Sequence, residues 1–235
     1  YIKNRIPNFR FSLFTKITTS TYLFLFVFGV IIILVLEHNH ALQNMSWHKS
    51  LFYALFNSST TRSAGLQTID VSQFSEGTNA IMGFLMFIGS SPSSVGGGIR
   101  TTTFAILILF LLNYNNNSEK FSIKVFNREI HAMDVQRSFA VFTMASLITF
   151  ASIVSILIIE NSEMTLLEVF FEVMSAFGTC GLSLGITSDL HSTSKVILMV
   201  LMFIGRVGLI SFIIMLGGRK EPDKYHYPKE RIQIG

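Results

Sequence analysis

Long uninterrupted apolar runs alternate along this chain with short ones. Residues 17–36 (ITTSTYLFLFVFGVIIILVL) and 138–159 (SFAVFTMASLITFASIVSILII) carry no charge, and 196–217 (VILMVLMFIGRVGLISFIIMLG) carries only Arg206, at its centre. Each reaches the roughly 20 residues that cross a bilayer core as a helix. A fourth run, 78–112, is apolar at both ends and interrupted by GSSPSSVGGGIRTTT at 89–103. Two shorter apolar stretches, 47–57 (WHKSLFYALFN) and 166–177 (LLEVFFEVMSAF), have 11 and 12 residues, too few to cross and suited to re-entrant helices. A secretory leader or a buried core helix accounts for one such run; four predict a polytopic membrane protein of all-α class.

The pattern repeats. LMFIG occurs at 85–89 and again at 201–205, an offset of 116 residues, and the same offset places Ser63-Ala64-Gly65-Leu66 on Thr179-Cys180-Gly181-Leu182 without a gap. Each unit therefore predicts an outward span, a re-entrant helix, a small glycine-containing stretch, an outer loop and a returning span, M1–pore helix–filter–M2. Both units start on the same side, which makes them parallel repeats.

Non-helical backbone at membrane depth is tolerated only inside protein or along a watery cavity. A re-entrant helix aims the partial negative charge of its C-terminal end at the membrane centre, which favours a cation there. Carbonyls of the following stretch can replace the hydration shell of an ion such as K+, and a glycine reaches the backbone angles this requires. The candidate filter is Ser63, Ala64 and Gly65 with Thr179, Cys180 and Gly181. The run 78–112 has 35 residues, about 50 Å as one helix at 1.5 Å per residue, against a core of about 30 Å. It must break at Ser90, Ser91, Pro92, Ser93, Ser94, Val95, Gly96, Gly97 and Gly98. In the repeat alignment Ser90 stands opposite Arg206, so the loop starts at mid-membrane depth and suits a flexible plug; a Pro/Gly kink without such a role is the alternative. Arg206 is expected to face the cavity and contact the loop. Arg62, beside a cation filter, is expected to point behind it and pair with Glu168 or Glu172.

Composition agrees with a membrane solvent: 50% hydrophobic, 14% charged, mean hydropathy +0.52, with 23 Phe. The net charge of +4 is placed asymmetrically, because 13 of the 18 basic residues lie before the first span, between the second and third, or after the last. The positive-inside rule puts those three segments in the cytoplasm, so the charge reads as topology and not as a nucleic-acid footprint. A single cysteine, Cys180, excludes an intrachain disulfide. The GGGIRT segment lacks the lysine and spacing of a phosphate loop and the last glycine of a dinucleotide fingerprint. His38, His40 and His48 have no metal-ligand spacing, and no catalytic set appears at membrane depth, so neither an enzyme nor a bound cofactor is expected.

STTRSAGL, GTCGLSLG, SPSSVGGGIRTTT and GRVGLISF together resemble the membrane subunit of the bacterial Trk/Ktr potassium transporters, closest to the Ktr type. The resemblance spans essentially the whole chain. It implies four M1–pore–M2 units around one pore, of which this chain corresponds to the third and fourth: 1–112 with the intramembrane gate loop 90–98, a cytoplasmic linker 113–137, the fourth unit 138–218, and a cytoplasmic tail 219–235. It further implies gated potassium uptake, a homodimer of membrane subunits in the lipid bilayer and a cytosolic nucleotide-binding regulatory ring of RCK/KTN type. A sodium-permeable relative and a subunit of an ATP-driven cation pump are the rival readings.

Overall fold

The computed structural model describes residues 11–43, 45–113, 123–126, 128–161 and 164–208. Among the described residues seven α-helices carry the fold: α1 (Leu13–Leu36), α2 (Trp47–Thr60), α3 (Glu76–Ile88), α4 (Thr101–Asn113), α5 (Ala132–Ile159), α6 (Leu166–Gly178) and α7 (Ser192–Val207). Their starts follow local chemistry. Ser12 and Ser75 accept hydrogen bonds from Thr15 N and Thr78 N at the heads of α1 and α3. Thr165 and Glu168 form a reciprocal capping box at the head of α6, occupying two otherwise orphaned donors.

At 24 and 28 residues, α1 and α5 extend to about 36 and 42 Å, enough to cross a hydrocarbon core. α2 and α6 are helices of 14 and 13 residues, ending three residues and one residue beyond the predicted stretches. The 78–112 run does break: α3 stops at Ile88, and α4 starts at Thr101. α7 begins at Ser192, 116 residues after Glu76 begins α3, so the offset in sequence is also an offset in structure. The expected span 196–217 is described only as far as Gly208. Within the 113–137 segment a short antiparallel hairpin, β1 (Ile123–Val125) with β2 (Arg128–Ile130), was not anticipated. Residues 114–122, 127, the 219–235 tail and most of the basic N-terminal segment lie outside the described residues.

α6 sits at the centre, packed on α3, α5 and α7. Phe87, Phe177, Val173, Leu201 and Ile204 fill the core there. Small residues let backbones approach: a Cβ on Gly178 would meet the Met86 carbonyl at 2.5 Å, and one on Gly205 would overlap the Phe177 carbonyl. On the outside, Leu23, Phe24, Val27, Ile31 and Val35 of α1 and Leu147, Phe150, Val154 and Ile158 of α5 are exposed. Exposed apolar residues in such numbers suit a membrane or a protein interface more than water.

The two long helices are fastened to the helices that return from the outer loops by matching carboxylates. Glu37, capping α1, accepts from Ser75 N (2.9 Å), Ser75 Oγ (2.7 Å) and Thr78 Oγ1 (2.5 Å). Glu160, capping α5, accepts from His191 N (3.0 Å) and Ser194 Oγ (2.5 Å) and meets His191 Nδ1 at 2.9 Å. Ser75 and Thr78 stand 116 residues before His191 and Ser194, so one device is built twice.

Candidate ion pathway

α2 and α6 end directly at the two glycine-containing stretches. In the second, Thr179 caps α6 in the left-handed region (φ 50°), Cys180 N bonds to Ser175 O at 2.9 Å, and Gly181 N bonds to Ser175 Oγ at 3.2 Å. In the first, Ala64 N bonds to Thr60 O at 3.2 Å. Thr60 Oγ1 both donates to Leu66 O (2.8 Å) and accepts from Leu66 N (2.9 Å). Gly65 and Gly181, at equivalent repeat positions, both have positive φ, 62° and 95°. A side chain is disfavoured in that region, which is why glycine stands at both positions.

The structure brings the two stretches together. Cys180 Sγ donates to Thr60 O at 3.1 Å, and Gly65 Cα lies so close to the Cys180 carbonyl that an added Cβ would overlap its oxygen. Ser63, Ala64 and Gly181 are exposed, whereas Cys180 is buried. Two helix C-termini thus deliver polar backbone to one place.

The 90–98 loop lies against this arrangement. Gly97 N bonds to Thr179 Oγ1 (2.8 Å) and Gly178 O (3.2 Å), and Gly98 N bonds to Phe177 O (3.1 Å). Ser90 N reaches Gly97 O at 3.4 Å, which closes the loop on itself. Ser90, Gly96 and Gly97 are buried; Ser93, Ser94 and Val95 are exposed, and Ser93 holds a positive φ of 67°. Arg206 Nη1 donates to the Val95 carbonyl, a contact between the loop and α7.

Arg62 departs from expectation. It is 2% exposed, and its Nη1 donates to Gly89 O at 3.3 Å instead of meeting a carboxylate. Glu168 is consumed by the capping box, and Glu172 accepts from Ser183 Oγ and from Thr187 Oγ1 (3.0 Å). Both acids serve hydroxyls nearer the head of α6, while Arg62 follows the C-terminal end of α2.

Arg100 escaped the sequence reading. Its Nη1 donates to Gly96 O (2.9 Å), Ser91 O (3.3 Å) and Ser90 Oγ (3.4 Å). The available signal was its position two residues beyond the triple glycine, a cation next to the chain break. Glu37 and Glu160 were also missed, although the 116-residue offset already paired their partners. Among the described residues no cluster of His, Cys, Asp and Glu has the makings of a metal site.

A mainly helical chain with two helices long and apolar enough to cross a bilayer, two short helices that stop at paired glycine stretches and a broken helix beside them has the build of an integral membrane protein. The chain belongs to the TrkH cation transport protein family, whose model matches residues 2–225. It is 51% identical over its whole length to the Ktr system potassium uptake protein D of Bacillus subtilis (strain 168), covering 51% of that protein. Over 96% of its length it is 32% identical to the potassium/sodium uptake protein NtpJ of Enterococcus hirae, covering 51% of it. The crystal structure of the potassium transporter TrkH from Vibrio parahaemolyticus matches 85% of this chain and 44% of its own with a TM-score of 0.69 at 21% identity. The chain spans about half the length of the curated relatives it matches.

Proposed function

We propose that this chain contributes two filter segments and a gate to a potassium-selective pore through the cell membrane, in a Ktr-type uptake system. K+ is coordinated by backbone carbonyls of Ser63, Ala64, Gly65, Thr179, Cys180 and Gly181; the 90–98 loop obstructs the path below them, with Arg206 as its latch. The observation that carries this reading is the contact of Gly65 with the Cys180 carbonyl, at the ends of two helices related by the repeat. Arg206 adds a positive charge to the obstruction, which raises the barrier to a cation while the loop is in place. The proposed assembly is a homodimer of membrane subunits with the basic segments in the cytoplasm, docked on a cytosolic nucleotide-binding ring.

Rubidium-86 uptake into proteoliposomes carrying the protein tests this. Excess potassium will compete and excess sodium will not; Gly181→Ser will admit sodium, and deletion of 91–95 will raise flux. Uptake that is the same in all three proteins removes both assignments. A potassium/sodium pore is the second reading, supported by the printed name of the Enterococcus hirae relative, and sodium competing in the wild type selects it.

A further inference from the structure

The 90–98 loop is held in two different ways along its length. Its ends form a neck. Gly89 O accepts from Arg62, the residue before the first filter stretch, and Gly97 N and Gly98 N bond to the last turn of α6 and to Thr179, the first residue of the second stretch. Gly97 must be glycine there, because a Cβ would stand 2.8 Å from the Thr179 side chain and 3.0 Å from Gly205 O. The neck is therefore continuous with both filter stretches.

The tip, 91–95, is different. Among the described residues no hydrogen bond joins it to 63–65 or to 179–181. Its own contacts are serine to serine, with Ser94 Oγ at 2.6 Å from both Ser90 Oγ and Ser91 O, and two arginines hold it. Arg206 reaches across from α7 to the Val95 carbonyl. Arg100, at the head of α4, grips the loop on both sides of the tip, through Ser91 O at its start and Gly96 O just after its end, beside a 3.5 Å contact of Thr101 Oγ1 with Ser91 Oγ.

We infer that Arg100 is a positioning residue of the gate: from the head of α4 it holds the tip folded as a preformed plug, which swings about the fixed neck when Arg206 and Arg100 let go. This rests on the pore reading above. Arg206 belongs to a different helix from the loop and must part from it for the tip to clear the path. Arg100 stands beyond the neck at the head of α4, where its carbonyl accepts from Phe104 N, so its side chain holds the tip from a fixed base. Arg100 thus shapes and holds the closed gate, while the neck keeps the filter geometry constant through the motion.

The test is resting rubidium flux and rubidium-over-sodium preference in proteoliposomes, without any activating partner. Removing hydrogen bonds from a charged group to carbonyls, Arg100→Gln will raise resting flux about tenfold. Preference for rubidium will stay at the wild-type value, because the neck bonds remain. Arg100→Lys, whose ammonium still reaches Gly96 O, will restore low resting flux, which a general packing defect would not allow. Arg100→Gln and Arg206→Gln together will give less than the product of their separate effects. Deletion of 91–95 serves as the control for the pore reading. If the deletion leaves flux unchanged, that reading fails. If the deletion raises flux but Arg100→Gln does not, only the role of Arg100 fails. A rise in flux accompanied by lost preference overturns the division into neck and tip. Should Arg100→Gln not purify as a folded protein, Arg100→Lys decides: wild-type resting flux supports the inference and a tenfold rise refutes it.

Discussion

Gly65 and Gly181 share a repeat position and a left-handed backbone, yet their surroundings differ. A methyl group on Gly65 would overlap the Cys180 carbonyl, while on Gly181 its nearest neighbour is Gly65 Cα at 3.9 Å. Gly181→Ala meets only the backbone cost, about 1–2 kcal/mol for a side chain in the left-handed region. Gly65→Ala adds a collision between the two stretches, so its thermal unfolding temperature in detergent will fall further below wild type than that of Gly181→Ala; the reverse order would deny the contact. The glycines were legible in the sequence because a turn at the end of a short helix needs them. The partner of Arg62 was not, because a guanidinium is satisfied equally by a carboxylate or a carbonyl and sequence marks only the first. Here the nearby acids were already taken by Thr165, Ser183 and Thr187, leaving Arg62 a main-chain oxygen.

Helix limits came through well where they depended on apolar length, because a bilayer fixes how long a span must be. α2 and α6 were bounded to within three residues, and the break between α3 and α4 followed from length alone. The hairpin at 123–130 was hidden because two strands of three residues leave almost no alternation to read. The carboxylate fastenings belong to this scale too, since each joins the end of one helix to the head of another. At Glu160 the Ser194 hydroxyl, followed by the His191 contacts, outweighs burial and holds the carboxyl below its ordinary value of 4.5. At Glu37 burial pushes upward, but hydrogen bonds from Thr78 and Ser75 prevail and the net shift is also downward. A carboxyl with a depressed folded pKa adds stability above its unfolded pKa and loses it as pH falls through the folded one. The unfolding temperature will therefore be flat from neutral pH to about pH 5 as far as these two groups are concerned, then drop below pH 4.5. Glu160→Gln will start lower at neutral pH and show a smaller acid drop; an acid drop of unchanged size would exclude Glu160 as a contributor.

The molecule presents two kinds of surface. α1 and α5 expose large apolar residues along much of their length, whereas Ser63, Ala64, Gly181, Ser93, Ser94, Val95 and Arg206 are exposed at the glycine stretches, the loop and α7. On the proposed pore reading, lipid belongs on the first and water on the second. Single-cysteine variants will separate them: Ser63→Cys and Val95→Cys will react with a charged, water-soluble thiol reagent in proteoliposomes, and Val27→Cys and Phe150→Cys will not. Reaction at Phe150→Cys would put α5 against water and undo the assignment of faces. The native Cys180 is buried and will contribute little background.

One hydrogen bond carries a consequence in time. Gly97 N and Thr179 Oγ1 are separated by 82 residues of chain. A ribosome adding 5–20 residues per second takes about 4–16 s to make that length. For most of that interval the residues of α1 to α4 have been made, but the amides of Gly97 and Gly98 have no α6 to bond to. The loop between α3 and α4 must wait in another conformation, with its polar backbone kept wet, until the second half of the repeat arrives to close over it.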